Sequence, residues 1–229
     1  MHHTRALLIS SSNVYGYGYL DQSEPFIVDF LRDQKRVHFV PFAIADQDAY
    51  TAQVAERLGR MGLEVVPLQT KEDLAEAKAI FVGGGNTWRL LKILYERELL
   101  TPMRDAVKRG VAYIGSSAGS NIAGPTIRTT NDMPIVEVPS MNALNIVPYQ
   151  LNPHYLDPDP NSTHMGETRE ERILQFHEEN VTPVIGLREG TALLVERGTT
   201  TLLGMRPARV FLKRQEPYEV EPGMGIELP

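Results

Sequence analysis

The sequence predicts an α/β protein with an open, mostly parallel sheet, helices on both faces of that sheet and a β-rich antiparallel C-terminal edge. Short apolar runs alternate with helical patterns through the first half of the chain, which is the rhythm of βαβ units. Near the C-terminus, two β-rich runs flank an Arg197-Gly198 turn, which is typical of an antiparallel hairpin. With 229 residues, 42% of them hydrophobic, the chain can bury one large core.

We expect five strands and three helices in the first half of the chain. The expected strands are Ala6–Ile9, 37–42, 63–68, Ala79–Val82 and 111–114. The expected helices span 23–31, 47–61 and the residues after Asn86, where apolar side chains recur at helical spacing.

The pattern is looser in the second half. A strand is expected at 146–151, an amphipathic helix at 169–180, a strand at 183–187 and then the hairpin, with strands at 193–195 and 199–203. The sequence contains no internal repeat, linker or low-complexity segment. We therefore expect a single α/β domain over residues 1–229.

The composition excludes several classes of function. The net charge of −6 and the lack of a basic block argue against nucleic-acid binding. There is no apolar run of about 18 residues and no signal-peptide stretch near the start, so we expect no membrane partner and a cytoplasmic location. The absence of cysteine rules out disulfides, cysteine-ligated metal and a thiol nucleophile. A nucleophilic enzyme built on this chain would use serine.

Residues 115–119, Gly-Ser-Ser-Ala-Gly, match the G-x-S-x-G pattern of a nucleophile elbow. Of the serines in this stretch, only Ser117 has glycine two residues away on both sides. The bare pattern would occur by chance in roughly one chain in ten of this length. The strand before it and the helix-compatible stretch after it provide the context that the motif requires. Ser117 is therefore the candidate nucleophile.

Polar residues that follow the other predicted strands supply a base and an acid. An open parallel sheet binds ligands at the carboxyl ends of its strands, where His154 and Glu189 are expected. Histidine activates a serine hydroxyl when a carboxylate orients its other ring nitrogen. Two alternatives remain open: His154 could be a hydrogen-bonded core residue, or Asp132 or Glu137 could be the acid that orients it.

A glycine loop, Gly83-Gly84-Gly85, follows the fourth strand. The backbone N–H groups of Gly85 and Ala118 are the candidates for an oxyanion hole. Such loops also cradle phosphate. This one lacks the last glycine of the dinucleotide fingerprint, since Trp88 stands there, and it has no Walker lysine-hydroxyl pair.

Five segments together closely resemble the peptidase E, or α-aspartyl dipeptidase, family over most of the chain. They are VGGGNT (82–87), GSSAG (115–119), PTIRTTNDMPI (125–135), NPH (152–154) and GETR (166–169). Their order and near-identical spacing make the resemblance far more specific than G-x-S-x-G alone. It implies a fold like that of the class I glutamine amidotransferases, which is flavodoxin-like, with serine in place of their cysteine.

The resemblance also implies roles for individual residues. The family's nucleophile, base and acid fall on Ser117, His154 and Glu189. The family cleaves dipeptides with an N-terminal aspartate, and Arg169 matches the residue expected to bind its side-chain carboxylate. An alternative for Arg169 is an ion pair with Glu167 or Glu170.

Two further residues are expected near the substrate. Asp132 is placed to bind the substrate ammonium or to support the fold, and Asn86 is a further substrate-binding candidate. No metal and no cofactor is expected, and the expected partner is a small acidic peptide bound by a monomer or homodimer.

The sequence departs from the family at Ser116, where bacterial members carry tryptophan, and in the proline-rich loop at 155–165. Two alternative functions stay open. One is a related hydrolase of isoaspartyl or cyanophycin-like linkages, and the other is a non-catalytic amidotransferase-like domain that binds a ligand.

Overall fold

The computed structural model describes residues 4–163 and 165–228. The strands of this part of the chain are β1 (Ala6–Ile9), β2 (Arg36–Val40), β3 (Glu64–Pro67), β4 (Ala79–Val82), β5 (Ala112–Ser116), β6 (Gln150–Pro153), β7 (Val184–Leu187), β8 (Thr191–Glu196), β9 (Thr199–Gly204), β10 (Ala208–Phe211) and β11 (Tyr218–Val220). The helices are α1 (Glu24–Phe30), α2 (Gln47–Arg60), α3 (Lys71–Glu76), α4 (Thr87–Glu96), α5 (Leu100–Lys108), α6 (Ala118–Asn121) and α7 (Arg169–Glu179).

The larger sheet has seven strands in the order β3-β2-β4-β5-β1-β8-β9. Its first five strands are parallel, and β8 and β9 extend it as an antiparallel hairpin. The predicted fold class is confirmed, including the antiparallel C-terminal edge. Within this sheet, β1 lies between β5 and β8, so the end of β1 adjoins the segment that follows β5.

Helices cover both faces of this sheet, so its central strands are buried on both sides. In β1, Leu7 belongs to the same buried cluster as Ile27 of α1 on one face, and the next residue, Leu8, belongs to the cluster of Leu90 of α4 on the other. Helix α2 lies on the first face and α5 on the second. Such double burial explains why these strands read as continuous apolar runs without alternation.

A second sheet corrects the expectation of one continuous sheet. Strands β6, β7, β10 and β11 form it in the order β11-β10-β7-β6, with β6 and β7 parallel and the other pairs antiparallel. The strands expected to precede His154 and Glu189 therefore belong to a different sheet from the strand that precedes Ser117.

The strand expected at 146–151 is also wrong in its bounds, since β6 spans Gln150–Pro153. The backbone N–H groups of Ile146 and Val147 both donate to the carbonyl of Ala123, at 3.0 and 3.3 Å. Pro148, which follows them, has no N–H to give to a ladder. The apolar residues of 146–149 are thus buried as an irregular segment.

Of the helices in the described part of the chain, none combines the length and the apolar character needed to span a bilayer.

Candidate functional site

Ser117 occupies a sharp turn between β5 and α6. Its backbone has φ 50° and ψ −106°, a combination that non-glycine residues rarely adopt. Strain of this kind costs roughly 1–3 kcal/mol and is concentrated at functional sites. A strained serine between a strand and a helix is the conformation that the G-x-S-x-G pattern predicts.

Tight packing around the turn explains its two glycines. A Cβ atom on Gly119 would lie 2.2 Å from the carbonyl oxygen of Val82, and one on Gly115 would lie 2.5 Å from the carbonyl oxygen of Gly119. Both distances are far below van der Waals contact. The glycines are needed because backbone approaches backbone here.

The structure brings the base and the acid to this serine. His154 directly follows β6, and its Nε2 lies 3.1 Å from Ser117 Oγ. Its Nδ1 lies 2.8 Å from Glu189 Oε1, two residues beyond β7. A carboxylate only accepts hydrogen bonds, so Nδ1–H donates to Glu189 and Nε2 accepts from the serine hydroxyl. The side chains of His154 and Glu189 are 41% and 43% exposed, so a substrate can reach them.

Neither of the competing acids contacts His154. The Asp132 carboxylate accepts hydrogen bonds from the backbone N–H and the hydroxyl of Thr87, at 2.8 and 2.5 Å. Glu137 is exposed and makes no hydrogen bond to His154. The alternatives in which Asp132 or Glu137 orients the histidine, and the alternative in which His154 is a buried core residue, are therefore wrong.

The two oxyanion-hole candidates have free N–H groups beside the serine. Neither Gly85 nor Ala118 donates its N–H to an acceptor in the described residues. Gly84 approaches the elbow closely, since a Cβ atom on it would lie 3.2 Å from Ser117 Cβ. Gly85 follows with φ +133°, a conformation that strongly favours glycine. Their role in holding an oxyanion stays a prediction.

Arg169, the first residue of α7, has no side-chain hydrogen bond or ion pair in the described chain. Its two expected partners are engaged elsewhere: Glu167 lies 3.7 Å from Arg172, and Glu170 pairs with Arg209 at 2.8 Å. The expected alternative, an ion pair of Arg169 with either glutamate, is therefore wrong. Its guanidinium is available to a ligand.

Arg169 has charged neighbours of both signs, since Asp157, Asp159, Glu167 and Arg172 line the same cavity. This cavity has a volume of about 360 Å³ and is formed with the loop after His154. Burial and the neighbouring Arg172 lower the pKa of Arg169, whereas the negative charge of Asp132 acts in the opposite direction. Arg169 stays protonated at neutral pH even so. Asp132 and Arg169 thus present opposite charges within electrostatic range of each other.

The side chain of Asn86 caps α4. Its Oδ1 accepts the N–H of Arg89 at 3.0 Å, and its Nδ2 donates to the carbonyl of Met133 at 2.9 Å. These bonds fix the start of the helix that follows the glycine loop. Contact between Asn86 and a substrate stays a prediction.

The PTIRTTNDMPI segment supports the site, a role that sequence reasoning had not supplied. Asn152 lies in β6, and its side chain donates to that of Asn131 at 3.0 Å and accepts from it at 3.3 Å. Asn152 also donates to the carbonyl of Thr129 at 2.8 Å. Asp132 then binds the first residue of α4, Thr87. The segment therefore joins the strand that carries His154 to the helix that follows the glycine loop.

Arg188, the residue before Glu189, was also not predicted as part of the site. It is 8% exposed, and its guanidinium donates two hydrogen bonds to Asp157, at 2.7 and 2.6 Å, and two to Glu219, at 2.8 and 3.0 Å. Asp157 lies three residues beyond the histidine of the site. The ion pairs therefore tie the loop after the base to the segment that holds the acid.

These ion pairs predict an acid-sensitive contribution to stability. Hydrogen bonds from Arg188 hold the pKa of Asp157 and of Glu219 below their ordinary values of 3.8 and 4.5. A lowered pKa stabilises the folded state above the unfolded-state value, and that contribution is lost as the pH falls through the folded-state value. We expect Asp157→Asn to lower the free energy of unfolding at about pH 7, by an amount that shrinks below about pH 4. Urea denaturation across this range measures it.

Glu216→Gln is the control for this comparison, because Glu216 is exposed and has no ion pair in the described chain. Its urea midpoint should follow that of the wild type. A destabilisation by Asp157→Asn that stays constant from neutral to acid pH would contradict the assignment to the ion pair.

No group of three or more histidine, aspartate or glutamate side chains in the described chain is arranged to hold a metal ion.

Comparisons with known proteins show the family of the chain. Residues 6–203 match the model of peptidase family S51. The chain is 50% identical to "Peptidase E" of Streptomyces coelicolor over 224 residues, covering 96% of this chain and 92% of that protein. It is also 50% identical to the "Probable alpha-aspartyl dipeptidase" of Drosophila melanogaster over 212 residues, covering 90% and 88%. The crystal structure of a peptidase from an acI-B1 Actinobacterium shares the fold, with a TM-score of 0.66 at 17% identity over 100% of this chain and 99% of that one.

Proposed function

The chain belongs to peptidase family S51, and from this membership and the geometry of the site we propose that it is a serine exopeptidase that hydrolyses dipeptides with an N-terminal aspartate. The observation that carries the proposal is the hydrogen-bonded series Ser117, His154 and Glu189. The unpaired guanidinium of Arg169 supports the choice of an acidic substrate.

In the proposed acylation step, Ser117 Oγ attacks the carbonyl carbon of the aspartyl residue. His154 Nε2 takes the hydroxyl proton as the bond forms and then gives it to the departing amine. Glu189 accepts from Nδ1–H throughout, which keeps Nε2 free to act as the base and stabilises the imidazolium that forms. The second amino acid leaves, and the aspartyl group remains as an ester on the serine.

The N–H groups of Gly85 and Ala118 would hold the negatively charged oxygen of the tetrahedral intermediate. Both are free of other acceptors in the described chain, so they can stabilise this charge without first breaking a bond. Water then attacks the ester, with His154 as base, and releases aspartate.

Two charged groups, Arg169 and Asp132, are the proposed recognition groups for aspartate. The planar fork of Arg169 suits the side-chain carboxylate, which it can bind with two parallel hydrogen bonds. Asp132 has one carboxylate oxygen that no described residue engages, and it is the proposed partner of the substrate ammonium. The proposal also places the enzyme in the cytoplasm, because a chain without cysteine suits a reducing compartment.

A panel of peptides tests the proposal on the wild-type protein. We expect Asp-Leu to be hydrolysed and Asn-Leu to be cleaved far more slowly, because asparagine leaves the Arg169 charge unpaired. Glu-Leu should also be poor, since its carboxylate is one methylene further from the reacting carbonyl. Asp-Leu-Gly tests whether the enzyme is restricted to dipeptides. Release of leucine, followed by chromatography, is the measurement.

Two outcomes would favour the alternatives. Cleavage of isoaspartyl-Leu in preference to Asp-Leu would indicate an isoaspartyl or cyanophycinase-like hydrolase. No hydrolysis of any peptide by folded protein would indicate a non-catalytic ligand-binding domain.

A further inference from the structure

The last residue of β1, Ile9, anchors the nucleophile elbow. Its carbonyl oxygen accepts the backbone N–H of Ser117 at 3.0 Å and the hydroxyl of Ser120 at 2.7 Å. The position of the nucleophile relative to the larger sheet is therefore set at the end of β1.

The next residue, Ser10, binds the segments that carry the other two members of the triad. Its Oγ accepts the backbone N–H of His154 at 3.1 Å and donates to the carbonyl of Leu187, the last residue of β7, at 2.8 Å. Its own N–H donates to the carbonyl of Thr191, two residues beyond Glu189, at 3.0 Å. Two consecutive residues thus contact the backbone segments of nucleophile, base and acid.

The contacts of Ser10 join two different sheets. Ser117 follows the larger sheet, whereas His154 and Glu189 follow strands of the second sheet, so contacts between the sheets must set their mutual distances. Ser10 is fully buried and lies 144 residues from His154 in sequence. Its hydroxyl is a direct side-chain link between the end of β1 and both of these strand ends.

His154 has an unusual backbone that needs such support. Its φ of +54° lies in the left-handed region, which is unfavourable for a side chain with a Cβ atom. The hydrogen bond from its N–H to Ser10 Oγ is made at this strained residue, whose ring lies within hydrogen-bond distance of Ser117. A hydroxyl suits the position because it accepts from one backbone segment and donates to another.

We propose that Ser10 is a positioning residue for the triad: its hydroxyl holds His154 and the strand end before Glu189 at reacting distance from Ser117. The inference rests on the proposed function. Ser10 acts through the backbone of the base, so its loss is expected to slow the chemical step and leave substrate binding by Arg169 intact. An ordinary buried serine would contribute to stability alone.

The test compares Ser10→Ala with wild type in kcat and KM for Asp-Leu. A second readout is the rate at which a fluorophosphonate probe labels Ser117, which reports activation of the nucleophile without the aspartate side chain. We expect kcat and the labelling rate to fall in parallel by about 10- to 100-fold, with KM within about threefold, because misplacement by about 1 Å can cost 10²-fold. Ser10→Thr, which keeps the hydroxyl, should recover part of the loss.

Tyr149→Phe is the matched control. Tyr149 is buried, and its hydroxyl shares a 3.1 Å hydrogen bond with Thr200 of β9, away from the triad segments. The substitution removes a buried side-chain hydrogen bond and should lower the melting temperature while leaving kcat unchanged. If Ser10→Ala does not yield folded protein, Ser10→Cys is compared with wild type instead. Cysteine is close to serine in volume and is only a weak hydrogen-bonding group.

The inference is overturned if the Ser10 variants keep kcat and labelling within about threefold of wild type, or if Tyr149→Phe loses as much activity. Failure of the proposed function gives a different result, because the wild type itself would then neither cleave Asp-Leu nor react with the probe.

Discussion

Ser117→Ala is expected to lower kcat/KM for Asp-Leu by at least about 10⁴-fold, which is the scale at which other serine peptidases lose activity without their nucleophile. Ser117 lies in a strained turn, with the histidine at 3.1 Å and with the N–H groups of Gly85 and Ala118, which donate to no acceptor in the described part of the chain. Without the hydroxyl no acyl-enzyme can form, although the substrate can still bind. Steady-state kinetics with Asp-Leu measure the loss.

Ser116→Ala provides the control at the adjacent position. Ser116 is fully buried, and its Oγ has no hydrogen-bond partner in the described chain. Its removal should leave activity within about threefold of wild type and stability unchanged or slightly higher, because an unsatisfied polar atom is lost. More than about a tenth of wild-type activity in Ser117→Ala, or a matching loss in Ser116→Ala, would contradict the assignment of the nucleophile.

The three residues of the proposed triad could be selected from the sequence because each directly follows or lies near the end of an apolar run. The strand-end rule selects such positions without knowing which sheet each strand joins. It therefore selected His154 and Glu189, which the structure places in a hydrogen-bonded series with Ser117, even though their strands form a second sheet. The role proposed for Ser10 could not be predicted in this way, since it depends on contacts with residues 144 and 177 positions away.

Two parts of the fold that the sequence predicted poorly, β6 and α3, have local causes. Strand β6 contains Gln150 and Asn152, which are polar although only 2% and 3% exposed, so the strand has no apolar signature. Helix α3 has six residues and one buried side chain, which is too short for a periodic pattern, although Thr70 and Asp73 form a capping box at its start. Hydrophobic periodicity does not detect a strand with buried polar residues or a helix of six residues.

The sequence also could not decide the partner of Arg169. Its two expected partners, Glu167 and Glu170, both lie within two residues of it, and either could have paired with it. Tertiary structure assigns one to Arg172 and the other to Arg209, a residue of β10 in the second sheet. These two ion pairs leave Arg169 without a carboxylate partner among the described residues.

Arg169→Gln is expected to raise KM for Asp-Leu strongly and to lower kcat/KM by roughly 30- to 1,000-fold, the range that follows from removing one partner of a close charge pair, about 2–4 kcal/mol. Glutamine keeps much of the length of the side chain and its hydrogen-bonding capacity but not its charge. Discrimination between Asp-Leu and Asn-Leu should fall in the same variant, because that discrimination depends on the unpaired charge that asparagine would leave. Kinetics with both peptides measure the two effects.

Arg172→Gln separates this effect from a general change of charge on α7. Arg172 lies three residues further along the same helix, is 52% exposed and is 3.7 Å from Glu167, so its charge is already partly compensated. Its replacement should leave KM within about threefold of wild type, since exposed ion pairs contribute little. Equal effects of the two substitutions would show that the helix supplies only a diffuse positive field. A large effect confined to Arg169, with preserved melting temperature, would identify it as the group that selects aspartate, because no other arginine of this helix lacks a carboxylate partner in the described chain.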